Sequence, residues 1–257
     1  MYQREQVDRS TDFKSTPNQA GFYRENATHT MQQVSTYNAE HDFGYNLQES
    51  RLRKCVSIIE SLPVGRLLDI GCTRGDWALR WQSQGWKAAG VDVNPEQIGL
   101  AIDSGIDARI CDLNRDALPF DDAQFDLIFA GEVIEHLIDT DGFLSDVSRC
   151  CKLGGNLLIT TPNLASFENR ARLLLGIYPK WLNYNLDGSG HVRLYTPRTL
   201  KRQLMAHGFS VVRHTGNWVP FIPQRYIDDV KMPSLAITGD LLPNLAMDII
   251  VLARKIR

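Results

Sequence analysis

The sequence predicts an α/β fold built on a doubly wound, mainly parallel sheet. Three observations carry that expectation. Short apolar runs alternate with helix-length amphipathic segments from about residue 66 to residue 161. The connections between them are short, as right-handed crossovers allow. The first apolar run ends in an acid and turns through two glycines, Leu67-Leu-Asp-Ile-Gly-Cys-Thr-Arg-Gly75, into a helical segment. In such sheets ligands bind outside the carboxyl ends of the strands, and a first strand of this kind delivers a ligand to the N-terminus of a helix.

The elements follow in order. Residues 1 to about 35 are polar, poor in aliphatics and rich in Gln, Thr, Asn and Ser, which suggests partial disorder. Between Leu47 and Leu62, apolar residues at Leu52, Cys55, Val56, Ile59 and Leu62 keep helical spacing, and Pro63-Val64-Gly65 ends the segment. Strands are expected over 66–70, 87–92, 107–111, 125–130 and 156–161, and helices over 76–84, 95–103 and 140–151. Pro95 suits the first turn of its helix. Lys152-Leu-Gly-Gly155 reads as a helix-to-strand turn. After Pro162 the alternation breaks, and 163–190 reads as an insertion containing a helical stretch, 166–175. A helix over 196–207 stops at Gly208, and strands over 209–214 and 247–253 enclose a second proline- and aromatic-rich stretch, 218–243. The expected organisation is therefore an N-terminal extension or lid, 1–45, and one domain, 46–257.

Composition narrows the partners. With 43% hydrophobic and 23% charged residues, the 257-residue chain is ordinary for a soluble globular protein. A formal net charge of -2 provides no global field for nucleic acid. Five cysteines, an odd number without a C-x-x-C pair, fit reduced thiols better than a disulfide framework or a zinc site. The N-terminus lacks an apolar signal-peptide core and no apolar stretch approaches membrane-spanning length, so a cytoplasmic protein is expected.

The glycine turn does not stand alone. Val91-Asp-Val-Asn94, Cys111-Asp-Leu113 and Phe125-Asp-Leu-Ile128 follow at the intervals of successive strands. On these residues, over roughly 65–216, the chain resembles the class I S-adenosylmethionine-dependent methyltransferases, in the branch that includes the ubiquinone-pathway O-methyltransferases. The resemblance implies a Rossmann-like, doubly wound seven-stranded sheet, mostly parallel with an antiparallel last strand, and with cap insertions at about 163–190 and 218–243. The loop departs from the family pattern at Thr73, where a third glycine is common. The implied cofactor is S-adenosylmethionine, with S-adenosylhomocysteine as product. Its contacts are expected from Asp69, Gly71, Cys72, Gly75, Asp92, Val93, Asp112, Leu113, Gly131 and Glu132. Asp69 would support the loop or meet the methionine ammonium group, Asp92 would accept from both ribose hydroxyls, and Asp112 would face the adenine amino group. A nicotinamide dinucleotide protein is the nearest competitor. It calls for G-x-G-x-x-G, whereas this chain has G-x-x-x-G and the additional Asp112.

The chemistry is sought in Gly131-Glu-Val-Ile-Glu-His-Leu137. If helical, Glu132, Glu135 and His136 would share one face. His136 is then the expected general base toward a substrate hydroxyl, with His191 second. Small-RNA 2′-O-methyltransferases have a similar E-x-x-E-H stretch and bind a metal with it, adding a downstream histidine. Glu132, Glu135, His136 and His191 form the equivalent set here, but no metal is assigned from sequence. Arg193 pairs either with a substrate anion or within the fold. The aromatic residues Tyr178, Trp181, Tyr184, Tyr195, Trp218 and Phe221 either wall a substrate cavity or pack cap against core. Tyr37 and His41 are weaker candidates for closing the site. The expected function is methyl transfer to a small or medium-sized molecule, at oxygen by preference. The alternatives are a metal-dependent RNA 2′-O-methyltransferase and a non-catalytic binding module.

Overall fold

A computed structural model describes residues 49–182, 190–221 and 231–257. The N-terminal extension, with Tyr37 and His41, lies outside these residues, as do Tyr184 and Gly188.

The alternation read from the sequence is realised in full. Helix α1 (Ser50–Glu60) precedes β1 (Arg66–Ile70), α2 (Asp76–Ser83), β2 (Lys87–Asp92), α3 (Pro95–Asp103), β3 (Asp107–Ile110) and β4 (Phe125–Gly131). A 3-10 turn, Ile134–His136, leads to α4 (Thr140–Cys150) and β5 (Cys151–Pro162). Then come α5 (Phe167–Leu174), α6 (Pro197–Ala206), β6 (Phe209–Gly216), a second 3-10 turn (Pro233–Ala236), α7 (Ile237–Leu241) and β7 (Asp248–Lys255). The seven strands lie in the order β3-β2-β1-β4-β5-β7-β6. Neighbours from β3 to β5 pair parallel, and β7 runs antiparallel to both β5 and β6.

The central strands are buried on both faces, which is why they read as unbroken apolar runs. One face packs Leu68, Ile70, Ile128, Leu157, Ile159 and Val251 against α4 and α6. The other packs Leu67, Leu127, Phe129 and Leu158 against α1 and the α2 residues Ala78 and Trp81. Each fully buried aliphatic side chain stabilises the fold by roughly 1.5–3 kcal/mol. Local signals place the helix ends: Asn94 accepts from the Glu96 and Gln97 amides ahead of Pro95, and Thr196 and Thr199 form a reciprocal capping box.

One boundary differs from the sequence reading. The expected turn at 152–155 is absorbed into β5 as an irregularity opposite Phe125–Leu127, with Gly154 at φ +79. A glycine at positive φ permits this without ending the strand. The second expected cap is tied to the core by Lys54, whose Nζ donates to the carbonyls of Gly216 and Ala236 and pairs with Asp240 at 2.9 Å.

Candidate functional site

The sheet order reverses between β1 and β4, and the strand ends beside that switch hold the residues singled out above. Gly71 (φ +76) donates its amide to the Val91 carbonyl at 2.8 Å, turning the chain at the end of β1. Thr73 adopts φ +47, the left-handed conformation that the missing glycine would take freely. Asp92 holds it there: its Oδ2 accepts the Thr73 amide at 3.0 Å and its Oδ1 the Asn94 amide at 2.9 Å. Gly75 (φ +84) caps α2, and a Cβ there would lie 3.2 Å from Ala101 and from Ile106. Its smallness therefore serves the packing of α2 on α3, and Gly71 and Thr73 make the turn that faces the strand ends. Cys72 is buried behind the loop with Val93 half-buried beside Asp92.

Asp69 is fully buried and its Oδ2 has no hydrogen-bond partner among the described residues. Burial, reinforced by the charge of Asp92, pushes its pKa up to about 8. Asp92 is also raised, by burial, with three backbone amides opposing the shift. Asp112 accepts the Asn114 amide through Oδ1 and faces Arg115 at 3.4 Å through Oδ2, with Leu113 against the core. Asn114 Oδ1 in turn accepts the Ile138 amide, joining the loop after β3 to the segment after β4.

That segment departs from expectation. Glu132 sits at φ +56 and only Ile134–His136 form a 3-10 turn, so Glu132, Glu135 and His136 do not share a helical face. The twist separates them. Glu132 turns to β5, donating its amide to Thr160 and accepting the Thr160 hydroxyl at 2.7 Å, with Arg51 Nη1 3.9 Å away. Gly131 precedes this twist, with no room for a Cβ beside the Phe129 ring.

Glu135 is completely buried, and Thr161 donates its hydroxyl to Oε2 at 3.0 Å. Its Oε1 has no hydrogen-bond partner among the described residues and lies 3.9 Å from His191 Nε2. Burial and the charge of Glu132 raise its pKa well above the carboxylate range. His136 and His191 meet edge to face with centroids 4.7 Å apart. His191 Nδ1 is 2.7 Å from the Trp181 carbonyl, which selects the Nδ1–H tautomer and leaves the Nε2 lone pair toward Glu135. Burial, followed by the charge of His191, lowers the His136 pKa to about 4, with the Gly190 backbone opposing the shift. Gly190 (φ +67) approaches closely enough that a Cβ would sit 3.4 Å from His136 Nδ1. Gly190 thus brings its loop against His136. Donor atoms of Glu135, His136 and His191 all lie within 4.8 Å of one another.

Other candidates divide. Arg193 is used by the fold, donating to Thr140 Oγ1 and to the Ile138 carbonyl. Tyr195 and Trp218 are core residues, the Tyr195 hydroxyl donating to Gln203. Tyr178, Trp181 and Phe221 remain exposed, Phe221 stacking edge-on with Phe167. The sequence reading missed Arg51, Thr160 and Thr161. The last two carry a legible signal, adjacent hydroxyls ending an apolar strand. Arg51, on an otherwise amphipathic helix, carries none.

All five cysteines are free and buried, as the sequence reading expected of reduced thiols. Among the described residues no helix is long and apolar enough to cross a membrane.

Comparison with known proteins agrees with this architecture. A family model described as a methyltransferase domain matches residues 39–214. A ubiquinone biosynthesis O-methyltransferase of Sinorhizobium fredii is 28% identical over 156 residues, 59% of this chain and 62% of that protein. A 27-O-demethylrifamycin SV methyltransferase of Amycolatopsis mediterranei is 29% identical over 160 residues, 57% of this chain and 59% of that protein. The chain thus spans about three-fifths of the length of these curated relatives. A solved Thermotoga maritima structure, a SAM-dependent methyltransferase described as a possible histamine N-methyltransferase, shares the fold at a TM-score of 0.65. It is 16% identical, over 87% of this chain and 99% of that one. With the family model spanning most of the chain and the seven-stranded sheet beneath it, the chain belongs to the class I S-adenosylmethionine-dependent methyltransferases.

Proposed function

We propose that the protein transfers the methyl group of S-adenosylmethionine to an oxygen atom of a small or medium-sized molecule. One observation carries the reading. Three carboxylates at the ends of β1, β2 and β3 surround a glycine turn at the sheet's switch point, with acceptor capacity to spare. The residues fit the cofactor. Asp69 Oδ2 is a buried acceptor without a partner, suited to an ammonium group directly or through water. Asp92 accepts the Thr73 amide on one oxygen and the Asn94 amide on the other, with acceptor capacity beyond these for ribose hydroxyls. Asp112 and Leu113 would hold the adenine, and Gly131 and Glu132 the methionine side. When bound, the cofactor supplies a methyl group already activated on a sulfonium centre.

The chain's own contribution is then alignment, exclusion of water and management of one proton. His136 and His191 are the groups placed for that proton. Burial makes both imidazoles weaker bases, His136 with a pKa of about 4 and His191 also lowered, and His191 has its Nε2 3.9 Å from Glu135 Oε1. The exposed Tyr178, Trp181 and Phe221 supply apolar surface for an acceptor. The ubiquinone-pathway and rifamycin names of the relatives support an oxygen acceptor on a small molecule.

The test has two stages. Calorimetric titration with S-adenosylhomocysteine should show one site of micromolar order, about -8 kcal/mol. Labelled S-adenosylmethionine offered with a panel of phenols, alcohols and amines should then label an oxygen acceptor. Absence of cofactor binding would sink the reading, and labelling confined to amines would overturn its choice of oxygen.

A further inference from the structure

The carboxylate of Glu135 has no exposed surface and an Oε1 without a hydrogen-bond partner among the described residues. A buried carboxyl group of this kind calls for a compensating cation or a proton. Arg51 attracts it without a direct bond: that guanidinium hydrogen-bonds Glu49 at 2.9 Å and faces Glu132. What does face Oε1 is an imidazole nitrogen, His191 Nε2, with the ring of His136 beside it.

We propose that Glu135, His136 and His191 bind one divalent transition-metal ion. The geometry supplies both the donors and the groups that orient them. Thr161 fixes Oε2 of Glu135, the Trp181 carbonyl fixes His191 Nδ1, and Gly190 fixes His136. Glu135 and His191 are thus each held by a neighbour through the other polar atom, the arrangement that sets ligand direction and imidazole tautomer in metal sites. A Zn-type ion about 2.1 Å from each donor places donors roughly 3.0–3.5 Å apart. The 3.9 Å between Glu135 Oε1 and His191 Nε2 would close by about 0.4–0.9 Å, and no pair of donors, all within 4.8 Å of one another, by more than about 1.3–1.8 Å. Two imidazoles and one carboxylate suit zinc, manganese, iron or cobalt, and disfavour magnesium and calcium, which take oxygen donors. Glu132 is excluded from the set, because the left-handed twist at that residue commits its carboxylate to Thr160 and Arg51. Three protein ligands leave positions open for water or a substrate oxygen. The consequence for methyl transfer rests on the reading above. An acceptor hydroxyl on the ion would lose its proton more readily, the proton passing to solvent water, and the two imidazoles would then serve as ligands in place of their role as base.

Cobalt(II) chloride added to metal-stripped full-length protein is the probe, followed by visible absorption and calorimetry. One equivalent with d–d bands is expected, weakened at least about tenfold in His191→Ala and in Glu135→Gln. His191→Ala removes a loop side chain and keeps the test valid if Glu135→Gln fails to fold. No binding by the wild type, or binding undiminished in His191→Ala, would overturn the proposal. S-adenosylhomocysteine titrated in parallel separates the two readings. Cofactor binding without cobalt binding sinks only the metal site, and cobalt binding without cofactor binding sinks only the cofactor placement.

Discussion

Replacing Asp92 by alanine should all but abolish cofactor binding while leaving a folded, less stable protein. The magnitude follows from what the carboxylate holds. Its two oxygens accept the Thr73 and Asn94 amides at 3.0 and 2.9 Å, and a carboxylate has acceptor capacity beyond these. Two ribose hydroxyls donating there make charged hydrogen bonds worth about 1.5–3 kcal/mol each. Their joint loss is about 3–6 kcal/mol, a weakening of roughly 10²–10⁴-fold. Stability falls as well. Two buried amides lose their acceptor, at about 1–3 kcal/mol each, and Thr73 loses the bond that holds it at φ +47. Part of this returns, because burial of the Asp92 charge is itself unfavourable and raises its pKa. Titration of S-adenosylhomocysteine well below the melting midpoint, with circular dichroism to verify the fold, separates the two effects. A folded Asp92→Ala protein that binds within about threefold of wild type would refute the ribose assignment, since threefold is under 1 kcal/mol.

Three further outcomes follow from the same loop. Thr73→Gly should raise the melting temperature modestly, because a left-handed β-branched residue costs about 1–2 kcal/mol and glycine gives back only part of that through the unfolded chain; an unchanged or lower midpoint would show that the conformation carries no strain. Gly75→Ala should destabilise by about 1–3 kcal/mol in a denaturant melt, since its Cβ meets Ala101 and Ile106 at 3.2 Å in a backbone at φ +84. Asp69, with a folded pKa of about 8 against a reference value of 3.8, makes the folded state hold a proton that the unfolded chain has lost. Its contribution is therefore full below about pH 4 and is lost as pH rises through 8. Asp69→Asn should remove that part of the slope in pH-dependent melts, and a wild-type slope in the variant would place the proton elsewhere.

The order of strands and helices was legible because each central strand is apolar on both faces and each turn is marked by glycine, proline or an acid. Helix caps at Asn94 and Thr196 are local hydrogen bonds, so their residue types announce them. The acids Asp69, Asp92 and Asp112 were legible for the same reason: strand ends in a parallel sheet converge, and position in the strand is enough to bring them together. Periodicity failed at Glu132, where a helical face was expected. The twist there is made by pairing with Thr160 on a strand 28 residues away, which no local pattern encodes. The aromatic residues were undecided for a related reason. Whether Tyr195 and Trp218 line a cavity or fill the core depends on what packs over them.

Sequence alone therefore determined the fold class, which follows from local pattern and strand order, and its resemblance to known methyltransferases pointed to the family. The tertiary structure alone decided which polar side chains meet. It brought Glu135 and His136 to His191, 55 positions further along the chain than His136, and turned Glu132 away to Arg51. The physical reason is that such contacts depend on the path of two connecting loops and on which buried charge each neighbour can satisfy, and neither is a property of any short stretch of sequence.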